Sequence, residues 1–144
     1  MEVLLITKKR IATVLCLTLL ASIAGCGKNQ KMGGTVTYSD DGSPVTTGTV
    51  CFTTDSFYAR GKLDDQGRYQ LGTESVGNGI PKGNYKVSIA NSQKVTGSKS
   101  VPGGSSMPIL EETIAPKFRA AGTTDITCTV DGSTRQFDFK VDRP

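Results

Sequence analysis

Four cysteines and no histidine set the chemistry open to this chain of 144 residues. Without an imidazole, a serine or cysteine nucleophile has lost its usual general base, and a metal has lost its commonest neutral ligand. No lysine is spaced to replace that base, so the expectation is a non-catalytic protein. The acid pairs Asp40-Asp41 and Asp64-Asp65 could offer oxygen ligands to calcium. Neither has the dense run of carboxylates such a loop needs. Both lie within two residues of a glycine, in turns where Asp is favoured because it bonds the backbone. No metal and no cofactor is expected.

Cys51 and Cys128 are the two thiols of the main body. In an exported protein an even pair suggests a disulfide. Closing so long a loop would contribute ~4 kcal/mol in the chain-entropy model. The alternation speaks against it: Cys128 is in register with Ile126, whereas Cys51 falls between Val50 and Phe52. Cysteines on opposite faces cannot be joined without a bulge or an edge position, so the pairing stays open.

The N-terminal cysteines belong to a different context. Lys8, Lys9 and Arg10 precede the apolar run Ile11–Ala24, which holds Cys16 and stops two residues before Cys26. A basic stretch followed by a short apolar one is the layout of an export signal. The run falls short of the roughly 20 residues a spanning helix needs. Its end, Ile23-Ala24-Gly25-Cys26, resembles the lipobox of bacterial lipoproteins. That resemblance implies cleavage between Gly25 and Cys26, with diacylglycerol on the Cys26 thiol and a further acyl group on its amine. Gly27, rather than Asp, in the following position favours the outer membrane by the same resemblance. Residues 1–25 are then a signal peptide with a helical apolar core. Residues 26–33, polar and bounded by glycine, read as the lipidated cysteine and a flexible tether.

Removal of residues 1–25 leaves 14 basic and 12 acidic residues, with no block of Lys and Arg. A nucleic-acid footprint is therefore not expected. Short runs rich in Thr, Val, Tyr and Phe alternate with Gly, Pro and Asp clusters. Seven strands are predicted, in 35–38, 48–52, 59–63, 68–71, 84–90, 125–130 and 135–141. Their inward positions include Val36, Tyr38, Val50, Phe52, Tyr69, Leu71, Tyr85, Val87, Ile89, Cys128, Phe137 and Phe139. Strict alternation makes these a core rather than a ligand-stacking stripe. Asp131-Gly132 is a hairpin signal. The fold expected over 34–142 is all-β, a seven-stranded two-sheet sandwich of immunoglobulin-like or transthyretin-like type.

One stretch breaks the rhythm. Residues 91–112, rich in Ser, Gly, Lys and Pro, read as a long loop, flexible or else an ordered binding element. Ile109–Phe118 suggests a helical turn that Pro116 would limit.

The order of pieces "GTVTY", "LDDQGRYQL", "GIPKGNYKVSI", "IAPKF" and "FDFKV" resembles small bacterial lipoproteins with a carboxypeptidase regulatory-like, transthyretin-like β-sandwich. Asp64, Gly67 and Tyr69 fill its D-x-x-G-x-Y pattern, and Pro81, Gly83, Tyr85 and Val87 its P-x-G-x-Y-x-V pattern. The resemblance implies an architecture and an address rather than a reaction. The related purine-pathway hydrolases would require active-site histidines and a C-terminal Tyr-Arg-Gly-Ser motif, and this chain ends "FDFKVDRP". Two roles follow as expectations. One is a lipid-anchored envelope protein of structural or accessory function. The other is a binding module for a glycan, a peptide or an envelope protein through 91–112 or a sheet edge.

Overall fold

The computed structural model describes residues 29–75 and 77–144. The signal peptide and the Gly25/Cys26 cleavage and lipidation site lie outside the described residues. The described chain is all-β, with nine strands and a single 3₁₀ turn. In chain order the strands are β1 (Gly33–Tyr38), β2 (Thr49–Thr53), β3 (Tyr58–Lys62), β4 (Arg68–Gln70), β5 (Gly83–Ala90), β6 (Gln93–Ser100), β7 (Ser106–Glu112), β8 (Thr127–Val130) and β9 (Phe139–Val141). The 3₁₀ turn spans Pro116–Phe118.

Three sheets result. A three-stranded sheet runs β4-β1-β9, a four-stranded sheet runs β3-β2-β5-β8, and β6 and β7 pair only with each other. The first two form a sandwich-like body around one apolar cluster. Each of the seven predicted segments overlaps one of its strands, with ends differing by up to two residues where a strand runs beyond its segment. The two strands beyond that count both come from 91–112, so a ribbon stands where a loop was expected. Ile109 to Glu112 is part of this ribbon rather than a helical turn, which is confined to the residues from Pro116.

The period of two explains the core. Val36, Val50, Phe52, Leu71, Val87, Ile89 and Val141 are fully buried, with Tyr69, Tyr85 and Phe139 beside them. Phe52 is at the centre, its ring 5.9 Å from that of Tyr85, 6.2 Å from Tyr69 and 6.1 Å from Phe137. Both motif tyrosines are tied at their polar ends. Tyr69 donates to the Phe137 carbonyl at 2.6 Å, and Tyr85 to the Pro81 carbonyl at 2.9 Å. Each thus fills the core without stranding a hydroxyl.

The D-x-x-G-x-Y turn has a local cause. Asp64 accepts from the backbone N–H of Gln66 and of Arg68, both at 2.9 Å. Gly67 then turns the chain at φ 72°, a conformation that favours glycine. Gly34 answers a different need. A Cβ there would lie 2.0 Å from the Phe137 carbonyl, so only glycine lets the C-terminal segment approach β1.

Two local expectations change. Asp131 does start a turn, accepting from the backbone and hydroxyl groups of Ser133 and Thr134. The strands on either side, β8 and β9, belong to different sheets, so the turn is a crossing rather than a hairpin. The tether is also shorter than read. Gln30 exchanges two backbone hydrogen bonds with Ile80, at 2.7 and 2.9 Å, and Met32 is buried. The domain therefore begins by Gln30, because the apolar side chain of Met32 gains more from the core than from solvent.

Candidate binding hairpin

The hairpin leaves the body at the end of β5. Asn91 makes the exit at φ 53°, in the left-handed region Asn tolerates better than most residues. The base is fastened where Ser92 is buried. The Ser92 hydroxyl donates to Glu112 at 3.1 Å, the Gln93 amide to the same carboxylate at 2.7 Å, and Thr113 to the Ser92 carbonyl at 2.6 Å. Arg119 adds an ion pair to Glu112 at 3.5 Å. Below this clamp Ile114 is fully buried.

Beyond the clamp the ribbon is exposed. Val95 pairs with Leu110, Gly97 with Ile109 and Lys99 with Met107, and a bulge at Thr96 shifts the register. Val95, Leu110, Met107 and Ile109 are 66%, 53%, 58% and 47% exposed. The one other large apolar side chain so exposed among the described residues is Tyr58. Leu110 and Ile109 are adjacent, so they point to opposite faces and both faces of the ribbon carry apolar groups. A two-stranded ribbon also has two unpaired edges, each a template for another strand. Pro108, which has no N–H to give, sits without loss in such an edge position.

Gln30 and the hairpin lie toward opposite ends of β5. Gln30 pairs with Ile80, three residues before β5 begins, and β6 starts three residues after β5 ends. Between them lie the eight residues of β5, about 25 Å at the usual strand rise.

The other sequence candidates are quieter. Arg143 binds Asp40 and Asp41, both at 2.9 Å, and stacks 3.8 Å from the Tyr38 ring centre. Hydrogen bonds from Ser43, with Arg143 alongside, hold the Asp41 carboxyl down at about 2. Asp64 is engaged by its own turn and by Arg68 at 3.0 Å. These carboxylates already have partners inside the chain.

Cys51 and Cys128 are both free. Cys128 is opposite Tyr85 on the inner face, and Cys51 is opposite Ser88 on the outer one. Strand β5 separates their strands, so the pairing left open by the sequence is not made. Cys51 is buried nonetheless, with its sulfur 3.0 Å from the Tyr58 hydroxyl. That contact, with partial burial, pushes Tyr58 up to about 12. Burial pushes the Cys128 thiol up to about 11. At pH 8, where the neutral thiol dominates, Cys128 should alkylate at least ~10-fold more slowly in the folded chain than in denaturant. Peptides bearing Cys51 and Cys128 should each carry alkyl label without prior reduction. Recovery of one crosslinked peptide instead would refute the opposite-face placement.

The apolar set Val95, Met107, Ile109 and Leu110 was missed in sequence because Ser, Gly and Lys separate its members. The usable signal was local: "ILEE" is a strand-like run that follows the Gly103-Gly104 turn. Compared with known proteins, the chain matches no family model, no curated protein and no solved structure.

Proposed function

We propose that this is a lipid-anchored, exported envelope protein without catalytic activity, held at Cys26, whose transthyretin-like body presents the β6–β7 hairpin to a protein partner. The observation that carries the binding part is the hairpin itself: four half-exposed apolar side chains and two open strand edges on one projecting ribbon. An extended protein segment fits this best, since it can add main-chain hydrogen bonds at an edge and cover the side chains. A glycan fits less well, because the ribbon offers no aromatic ring to a sugar face. The anchoring part is supported by the lipobox-like "IAGC" that follows the basic and apolar stretches. Outer-membrane residence is the preferred address.

The binding reading is tested in intact cells with a photo-crosslinking residue at Ser98, and with one at Lys140 on β9 as control. A discrete crosslinked product should form from Ser98 alone. Val95→Asp with Leu110→Asp should reduce it about tenfold or more, because charge would have to be buried in the contact. Thermal stability should hardly change, as both residues are exposed. A product of equal yield in the double variant would rule the hairpin out.

A further inference from the structure

Four of the described residues carry sulfur: Met32, Cys51, Met107 and Cys128. Three of them are withdrawn from solvent, Met32 and Cys51 at 3% exposure and Cys128 at 5%. Met107 is 58% exposed and stands on β7 within the apolar set of the hairpin. An oxidant arriving from solvent therefore meets this thioether before any other sulfur of the described chain. A thioether reacts without first losing a proton, so access dominates its rate, whereas a thiol must also ionise. Burial makes that ionisation harder for Cys128, raising its thiol to about 11.

The neighbours of Met107 say what an added oxygen changes. Ile109, two residues on, shares its face of the ribbon. Its side chain leans across to Gly97, where a Cβ would lie 3.6 Å from the Ile109 Cδ1. Lys99 is the cross-strand partner of Met107, so an ammonium donor stands directly opposite the thioether. We propose that Met107 is an oxidation site that takes one oxygen atom from a peroxide, and that this modification weakens the contact made by the hairpin. The second half rests on the protein-binding reading given above. The sulfur lone pair attacks one peroxide oxygen, an S–O bond forms and the O–O bond breaks. The other oxygen leaves as water with both protons, so the sulfide is oxidised and the peroxide reduced. An apolar side chain has then become a polar one. On the free ribbon the sulfoxide oxygen is served by water and by Lys99. In a closed contact it must give up acceptor bonds that an apolar surface cannot replace. Sulfoxide reductases reverse the change, one enzyme for each epimer.

The test uses envelopes of cells that make the full chain, treated briefly with dilute hydrogen peroxide. Mass analysis of the peptides bearing Met32 and Met107 reads the site. Met107 should gain oxygen about tenfold or more faster than Met32, and the two should react alike in denaturant. Equal rates in the folded chain would overturn the site. The photo-crosslink from Ser98 is then read in the same envelopes. Its yield should fall about fivefold or more after peroxide, and the two reductases should restore it. Met107→Leu, a swap of similar volume, should give the full yield with or without peroxide. A yield that falls equally in that variant would place the sensitive group on the partner and overturn the effect on the contact. An unchanged yield while Met107 carries the oxygen would overturn it too. No product from Ser98 even before peroxide would refute the hairpin reading, and the weakened contact with it. The rates at Met107 and Met32 decide the modification site in either case.

Discussion

Phe52→Ala should cost the domain about 3–5 kcal/mol, a large share of the ~5–15 kcal/mol that holds a typical domain folded. Phe52 is fully buried on β2, an inner strand of the four-stranded sheet. Its backbone neighbours are Ala59 on β3 and Val87 on β5. Its ring meets those of Tyr69 and Phe137 on the side of the other sheet and that of Tyr85 on its own. Truncation removes the side chain that links the two layers, and three large rings cannot all move into the void. Urea unfolding followed by tyrosine fluorescence measures the loss, with Phe52→Leu as a milder control. A loss below ~1 kcal/mol would mean that the layers are held by other contacts.

Cys26→Ser should abolish both processing and membrane attachment. An oxygen in place of the sulfur leaves no thiolate to form the thioether to the diacylglyceryl group. On the proposed anchoring, the variant loses two or three acyl chains, each contributing ~0.8 kcal/mol per buried CH₂ to membrane attachment. The variant should accumulate as a full-length precursor without incorporated fatty acid. Metabolic labelling with a fatty acid and migration on a gel read both effects. A variant that is still cleaved at residue 26 and still acylated would refute the lipobox reading.

The body was legible because its physics is local. Most strands carry a period of two, broken only where Val50–Phe52 and Val87–Ile89 are buried on both faces, and each turn declares itself by Gly, Asp or Pro. Tyr69 and Tyr85 could be placed inside from their own neighbourhoods. The 91–112 ribbon was illegible for the converse reason. It has no buried face to impose alternation, a bulge at Thr96 breaks the pattern, and Pro108 argues against an interior strand. What orders its base is a set of contacts at long range, chiefly Glu112 with Ser92 and Arg119. The burial of Cys51 on the outer face shares this character.

The first strand of the body, β1, lies between β4 and β9 rather than at an edge. That position bears on force. A protein tied to a membrane at one end and gripped at its hairpin is pulled along its length. Tension entering at Gln30 first loads its paired bonds to Ile80. It then reaches a strand held on both sides, antiparallel to β4 and parallel to β9. Drawn along its axis, β1 must shear two ladders together instead of unzipping one bond at a time. Under the anchoring proposed above, the strand nearest the anchor is one held on both sides.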